Sequence, residues 1–183
     1  MSAGDGGMPF LEAHLLEQRV VRIWGPLDDS AANQVCAELM ALDATGDSAV
    51  TLYVSSGGGP FEPALAVIDT MDLLGVPVHV TCLGSAEGTA AGVVAAGAKR
   101  AAAPHARFLL RQPDVAGTGP AAQISAWAEH HQAQLDRFVE RLAAATGRPA
   151  EHVEADLTIG RWLSASDALA YGLVDSVLTP GRP

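Results

Sequence analysis

The fold is decided by residues 84–92, Gly84-Ser85-Ala86-Glu87-Gly88-Thr89-Ala90-Ala91-Gly92, and by the run that follows, Val93-Val94-Ala95-Ala96-Gly97-Ala98-Lys99. The pattern predicts a buried strand that turns directly into a tightly packed helix of small residues. A sharp turn from strand to helix is where many hydrolases hold a nucleophilic serine. Gly88 stands at this turn, and glycine has no side chain to act as a nucleophile. The stretch therefore predicts a nucleophile elbow without the nucleophile.

Further groups of residues extend the pattern outward along the chain. They are Leu15-Leu16-Glu17-Gln18-Arg19-Val20-Val21 with Gly25 and Ala32-Asn33; Tyr53-Val54-Ser55-Ser56-Gly57-Gly58-Gly59 with Ile68-Asp69-Thr70-Met71; and Arg161-Trp162-Leu163-Ser164-Ala165-Ser166-Asp167-Ala168 with Tyr171-Gly172-Leu173-Val174-Asp175. In combination, and with the stretch around Gly88, they resemble the proteolytic subunit of the Clp protease, ClpP. The resemblance covers nearly the whole chain from about Leu15 onward.

The resemblance assigns three positions to the catalytic triad of that family. The family's serine falls on Gly88, and its histidine falls on Arg111, at the end of a strand that closes with Arg111-Gln112-Pro113. The family's aspartate falls on Gly160, directly before Arg161. The link between Ala98 and Pro104 is two residues shorter than the family's common pattern, and Gln112-Pro113 restores the register beyond it.

These substitutions remove the groups on which triad chemistry depends. A serine hydroxyl needs an imidazole to take its proton, and the aspartate orients that imidazole. Arginine stays protonated and cannot act as a base at neutral pH. Loss of the serine alone costs about 10⁶ in turnover in a well-studied serine protease. We therefore expect no catalytic residues and a chain that is not an enzyme, with Gly88, Arg111 and Gly160 as the triad-equivalent positions.

The backbone around these positions allows two interpretations. By the resemblance, Gly58 and Gly59 present amide groups to a peptide carbonyl, and the amide of Thr89 joins them, so that peptide binding outlasts the chemistry. Alternatively, the glycines only permit a tight turn with positive φ. The sequence leaves both interpretations open.

The histidines predict neither a metal nor a cofactor. His79 lies in a strand-like run and is expected to be structural, and His105 follows Pro104 at a turn. His130 and His131 are adjacent on a polar helical stretch, where neighbours point about 100° apart. Because no cysteine or carboxylate stands at ligand spacing, we assign no metal site and no cofactor.

Composition limits the classes of partner. The chain has 183 residues, a formal net charge of −10 and a hydrophobic fraction of 49%, typical of one globular domain. Its single lysine, Lys99, leaves no basic patch for nucleic acid. We expect no membrane span and a cytoplasmic protein, in which Cys36 and Cys82 are buried thiols and not a disulfide.

Strand and helix patterns alternate along the chain and predict an α/β fold with mostly parallel pairing. The fold that the resemblance implies is the ClpP/crotonase-type spiral of ββα units with a protruding handle helix. Residues 121–146 form one long amphipathic pattern closed by Gly147, and in the family the equivalent helix interlocks two heptameric rings. Trp127, Leu135 and Phe138 are accordingly expected at an oligomer contact; the alternative is that this apolar stripe packs on its own domain.

The domain organisation is expected to be a flexible N-terminal segment, 1–14, followed by one ClpP-like domain, 15–183. The segment is shorter than the axial loops with which family members engage an AAA+ unfoldase. We expect a structural or regulatory subunit of a Clp-type proteolytic complex. It would form a homo-oligomer or a mixed ring with an active ClpP paralogue, and would reach a ClpX-like or ClpC-like unfoldase through that paralogue. The alternatives are a peptide-binding module and a crotonase-like acyl-CoA enzyme.

Overall fold

A computed structural model describes residues 8–113 and 120–179. The helices are α1 (Met8–Glu17), α2 (Asp29–Ala44), α3 (Phe61–Leu73), α4 (Thr89–Ala95), α5 (Ala121–Thr146), α6 (Ala150–Ile159) and α7 (Ala165–Tyr171). The strands are β1 (Val20–Trp24), β2 (Val50–Ser56), β3 (Val78–Glu87), β4 (Lys99–Ala102), β5 (Arg107–Leu110), β6 (Arg161–Ser164) and β7 (Ser176–Val177). The glycine-rich start, 1–7, lies outside the described residues. Residues 8–14 are helical, which differs from the flexible segment expected there.

All these strands belong to one sheet, whose main path runs β1-β2-β3-β4-β7 with parallel pairing. β3 is long enough to serve two neighbours: its first half pairs with β4 and its last residues pair in parallel with β5. β6 then adds to β5 in the antiparallel direction. The predicted α/β fold with mostly parallel pairing is confirmed, with the β5–β6 pair as the exception.

The core forms because the strands alternate buried and half-buried side chains. On β2, Val50, Leu52 and Val54 are fully buried, whereas the residues between them are half-buried. Apolar side chains of α2 and α3 join them in the same core, including Leu39 and Ile68. Such burial stabilises the fold by about 25 cal/mol for each Å² of apolar surface removed from water.

The long helix α5 divides into two parts. Residues 122–130 are all exposed, whereas Leu135 and Phe138 are only 4% and 1% exposed. A Cβ on Gly92 of α4 would come within 2.2 Å of Cε2 of Phe138, so that only glycine admits this ring. Leu135 and Phe138 therefore pack in the core of the chain itself, in contrast to the oligomer contact expected of them. Among the three residues expected at that contact, Trp127 is the one with substantial exposure, 39%.

Both cysteines are free thiols. Cys36 is half-buried on α2, and Cys82 is buried in the middle of β3. Burial raises the pKa of the Cys82 thiol to about 11. Within the described residues, no helix has both the length and the apolar character needed to cross a membrane.

Candidate functional site

Three strand ends meet at one edge of the sheet and define the candidate site. The glycine loop, Gly57-Gly58-Gly59, follows β2; Gly88 follows β3; and Arg111 follows β5. Because these strands are parallel neighbours, their carboxyl ends lie side by side. In open α/β sheets this edge is where ligands bind. The structure thus brings the sequence-predicted positions 58, 59, 88 and 111 together.

Gly88 adopts the backbone conformation of a nucleophile elbow. Its φ is +51° and its ψ is −120°, and its amide donates to the carbonyl of Leu109 at 2.8 Å. Residues other than glycine rarely adopt a positive φ. A Cβ at this position would nevertheless have room, with the carbonyl oxygen of Arg111 at 3.4 Å and its Cγ at 3.7 Å. The elbow geometry is therefore present, and the glycine relieves its backbone strain.

The glycine loop is packed too closely for other residues. A Cβ on Gly59 would lie 2.0 Å from the carbonyl oxygen of Leu27, and one on Gly58 would lie 2.4 Å from that of Glu87. Only glycine allows backbones to approach this closely. The loop therefore packs against Glu87 at the end of β3 and against Leu27, which precedes α2.

The amides of this loop are engaged within the protein. The amide of Gly58 donates to Ser56 Oγ, and the amide of Gly59 donates to Thr89 Oγ1, each at 3.0 Å. Thr89 Oγ1 in turn donates to the carbonyl of Gly59 at 3.0 Å. The two amides expected to face a peptide carbonyl thus have internal acceptors. The sequence places Ser56 and Thr89 near the site but did not indicate that their hydroxyls hold the glycine loop.

Arg111 closes the side of the site opposite the loop. Its Nη2 donates to the carbonyl of Gly57 at 3.2 Å, which links the end of β5 to the end of β2. Between them lies a pocket of about 200 Å³. Its lining consists of Gly57, Gly58, Gly59, Pro60, Gly88, Thr89, Arg111 and Pro113.

Gly160 lies directly before β6, the strand that pairs with β5. It ends α6 in a left-handed conformation with φ of +71°, and the following residue, Arg161, pairs with Leu110 across the β5–β6 ladder. Position 160 is thereby next to position 111 in space, and both line a further surface pocket. The three positions that the resemblance assigns to a triad are therefore neighbours along one edge.

A polar cluster around the buried residues Asp156 and Tyr171 lies next to this edge and was not found from the sequence. Asp156, one turn before Gly160, accepts from the Tyr171 hydroxyl at 2.8 Å and from Arg161 Nη1 at 3.0 Å. Burial, followed by the bond to Asp156, raises the pKa of Tyr171 far above its ordinary value. Arg148 lies over the Tyr171 ring at 3.9 Å. The sequence signal was Asp156 itself, an acidic residue on the apolar side of α6.

The four histidines considered from the sequence lie on β3, at a turn and on α5. His79 is half-buried on β3 and His105 is exposed at a turn. His130 Nε2 lies 3.6 Å from Glu62 Oε1, and His131 stacks on Trp127 with 5.4 Å between ring centroids. Within 8–113 and 120–179 no group of three or more metal-ligating side chains comes together.

The start of α5 contacts the first turn of α3, directly after the glycine loop. His131 lies against Phe61 with 5.2 Å between ring centroids, and Phe61 lies against Phe138 at 5.4 Å. A hydrogen bond from Gln134, and then the charge of His130, lower the pKa of Glu62. The exposed start of α5 is thereby joined to the same segment that shapes the pocket.

A parallel α/β sheet with a strand-to-helix elbow facing a glycine loop defines the class of this protein as a ClpP-type fold. The family model described as Clp protease matches residues 10–181. The chain belongs to the Clp protease family.

Curated relatives agree with this assignment. The chain is 37% identical over 171 residues to "ATP-dependent Clp protease proteolytic subunit 1" of Nocardia farcinica, covering 92% of this chain and 87% of that protein. Proteins of the same name from Corynebacterium diphtheriae and Mycobacterium leprae are each 37% identical, covering 90% of this chain and 81% and 84% of their own lengths.

One prediction is wrong in the light of these relatives. The residues at the triad-equivalent positions led to the expectation that the chain is not an enzyme. The relatives, however, are named proteolytic subunits of a protease, and the family model that matches nearly the whole chain is that of the Clp protease. The chain is accordingly a homologue of Clp protease subunits. The residues at positions 88, 111 and 160 describe its pocket and do not exclude it from this class.

Proposed function

We propose that this chain is a structural or regulatory subunit of a Clp-type proteolytic complex in the cytoplasm, and that its pocket receives peptide. The subunit forms a ring by itself or together with a ClpP paralogue that has the full triad. The observation that carries this proposal is the elbow itself: the backbone at Gly88 has φ of +51° and ψ of −120° beside the glycine loop, at the position that the resemblance assigns to the family's serine.

The pocket supports peptide binding by its position and size. It lies at the carboxyl ends of three neighbouring strands, and its volume of about 200 Å³ suits one residue of an extended chain. A crotonase-like acyl-CoA enzyme requires two backbone amides aimed at a thioester carbonyl. The amides of Gly58 and Gly59 are instead held by Ser56 and Thr89, which counts against acyl-CoA binding and equally against a peptide carbonyl held by these amides. The proposed peptide binding therefore rests on the position and size of the pocket.

The start of α5 supports assembly. Residues 122–130 are exposed throughout and include two large apolar side chains, Ile124 at 41% and Trp127 at 39%. Isolated helical segments with little tertiary packing are marginally stable in water. A contact with another subunit would cover this surface and stabilise the helix, so we propose Trp127 and Ile124 as assembly residues.

Native mass spectrometry of the tagged protein, purified from its own cells, tests the proposal. A ring, either of this chain alone or mixed with a triad-bearing subunit, is the expected result. A monomer without a Clp partner would overturn it. As a matched pair, Trp127→Ala is expected to weaken assembly, whereas Glu151→Gln, an exposed change on α6, is expected to leave it unchanged.

A reconstitution tests the regulatory part. Adding the chain to its triad-bearing relative is expected to change the rate at which the mixed ring hydrolyses a fluorogenic peptide, and Trp127→Ala is expected to abolish that change. A rate independent of added chain, in rings shown by mass to contain it, would leave the subunit without a regulatory role. The same assay on the chain alone gives its own activity.

The assignment of positions is tested by rebuilding them. Gly88→Ser, Arg111→His and Gly160→Asp together are expected to give labelling of residue 88 by a fluorophosphonate well above that of Gly88→Ser alone, because only the triple variant supplies a base beside the serine. A Cβ at position 88 or 160 would meet no atom closer than 3.4 Å, although the positive φ of both residues strains any side chain placed there. Equal labelling of the two variants would mean that positions 111 and 160 do not act on position 88.

A further inference from the structure

The first strand of the sheet has a free edge. β1 lies at the end of the main strand path and pairs with β2 alone. β2 donates a backbone hydrogen bond to the carbonyl of Arg19 and accepts one from the amide of Gly25. Alternate residues of a strand in a parallel pair bond to the same neighbour, so the backbone N–H and C=O groups of Val20, Arg22 and Trp24 face away from β2. Within the described residues, no other strand pairs with them.

This free edge lies in a groove between two helices, since both α1 and α2 contact β1. The groove has a volume of about 160 Å³. Apolar side chains from all three elements line it, among them Leu15 of α1, Ile23 of β1 and Val35 of α2. Trp24 also lines the groove and is 63% exposed. Unpaired backbone groups along a strand edge are a template for another extended chain, and the apolar lining offers that chain places for its side chains.

The groove also holds three charged side chains. Arg22 of β1, Glu12 of α1 and Glu38 of α2 are all half-buried in its lining. Among the described residues none of the three forms a salt bridge, although Glu38 accepts a hydrogen bond from Gln34 at 2.9 Å. Two carboxylates stand against one guanidinium, in a chain whose formal net charge is −10. The groove therefore favours a ligand that carries positive charge.

A second copy of the chain is a poor occupant of this edge. Two copies of β1 that paired over their full length, Val20–Trp24, would run antiparallel about a two-fold axis. The middle residue of the strand is Arg22, so the two Arg22 side chains would stand directly opposite each other. Like charges that face each other across two strands destabilise the pairing. The occupant that the edge favours is therefore a different protein.

We propose that this groove binds an extended segment of another protein, one that carries apolar side chains together with lysine or arginine. The segment adds to β1 as a further strand, through hydrogen bonds to the outward-facing backbone groups of β1. Its apolar side chains fill the groove, and its cations lie near Glu12 and Glu38. The groove shares no lining residue with the pocket at Gly88 and belongs to other elements than α5, so this interaction surface goes beyond the proposed function.

Fluorescence anisotropy of labelled peptides, with the protein in its native oligomeric state, tests the charge preference. The probe is an eight-residue peptide of alternating valine and lysine with both ends capped, and its counterpart has glutamate in place of lysine. We expect the lysine peptide to bind about tenfold more tightly than the glutamate peptide. Glu12→Gln combined with Glu38→Gln is expected to weaken binding of the lysine peptide about fivefold. Glu151→Gln combined with Glu154→Gln removes two exposed carboxylates from α6 and is the matched control, expected to leave the affinity unchanged.

The strand addition is tested on the peptide, which leaves the fold of the protein untouched. N-methylation of the valines alone, or of the lysines alone, removes the N–H donors from one edge of the peptide and keeps its charge. A strand added to β1 bonds through alternate residues only, so one of the two methylated peptides is expected to bind about tenfold more weakly than the unmodified one.

Four results would overturn the proposal. The first is that the lysine peptide does not bind. The second is equal affinity of the unmodified peptide and both methylated peptides, which would indicate attraction by charge without strand addition. The third is tighter binding of the glutamate peptide, which would assign the preference to Arg22. The fourth is loss of the native oligomer when the lysine peptide saturates the protein, which would show that another copy of the chain occupies β1.

Discussion

The elbow and the start of α5 differ in how much of each is buried within the chain. Every residue of α4, which follows the elbow, is buried, and the loop facing it is held by hydrogen bonds to Thr89. The first part of α5, residues 122–130, is exposed on all sides. The elbow therefore keeps its geometry through packing in the chain itself, without help from a side chain at position 88. The contacts of the start of α5 are at the surface, such as His130 near Glu62 and Trp127 stacked on His131.

The backbone of the site is fixed by contacts that do not involve the side chains at the triad-equivalent positions. The conformation at Gly88 is fixed by its hydrogen bond to Leu109 and by the Phe138 ring under Gly92. Neither contact requires the side chain at 88, 111 or 160.

The largest expected effect concerns the buried part of α5, which packs against α4. Phe138→Ala is expected to lower the free energy of unfolding by about 3–5 kcal/mol, because it leaves a cavity under Gly92. Glu129→Ala, on the exposed part of the same helix, is the control and is expected to cost no more than about 0.5 kcal/mol. Urea unfolding measures the two values, at a protein concentration where native mass spectrometry shows both variants in the same oligomeric state. Similar costs would contradict the division of α5.

The hydrogen bonds of Thr89 give the next largest effect. Thr89→Val keeps the shape but leaves the amide and the carbonyl of Gly59 without their partner, and we expect a loss of about 2–3 kcal/mol. Thr89→Ser retains the hydroxyl and is expected to lose less than half as much. Thermal unfolding followed by circular dichroism compares them. A valine variant as stable as the serine variant would show that packing alone holds the loop.

Backbone strain at the elbow is expected to cost less. Gly88→Ala introduces a Cβ at φ of +51°, which we expect to destabilise the protein by about 1–2 kcal/mol. Gly160→Asn is the matched control, since its left-handed conformation, with no atom within 4 Å of a Cβ, is one that asparagine adopts readily. Denaturant midpoints of the two variants decide the point. If Gly160→Asn costs as much as Gly88→Ala, the elbow is not the more strained position.

The smallest expected effect concerns the contact between the two regions. The pKa of Glu62 is lowered in the folded protein, so its stabilising contribution is present above about pH 4.3, the ordinary pKa of glutamate, and is lost as the pH falls through the lower folded value. Glu62→Gln is expected to lower the melting temperature at pH 7 by at most about 2 °C, as is typical of exposed pairs. At pH 3 the difference from the unsubstituted protein is expected to shrink. A difference that grows between pH 5 and pH 3 would give the pKa shift the opposite sign.

The sequence predicted the α/β fold and the order of most elements because the motifs around Gly88 and the strand patterns are local. It did not predict features that depend on which way a side chain points in the folded protein. Trp127 and Phe138 both belong to the apolar stripe of α5, with the same helical periodicity. The periodicity therefore did not show that the buried core ends between these two residues. The internal acceptors of the Gly58 and Gly59 amides, Ser56 and Thr89, depend on side-chain orientation. Helix α1 was missed, although Leu11, Leu15 and Leu16 have helical spacing.

The two thiols differ in accessibility in a way that allows the unmodified chain to report its own opening. Cys82 sits in the middle of the central strand, and its pKa of about 11 keeps it protonated at pH 8. Alkylation requires an exposed thiolate, so a reagent reaches Cys82 only when the sheet itself separates. Cys36, half-buried on an outer helix, reacts after smaller fluctuations. The ratio of their alkylation rates therefore separates local breathing from whole-molecule unfolding without any engineered probe.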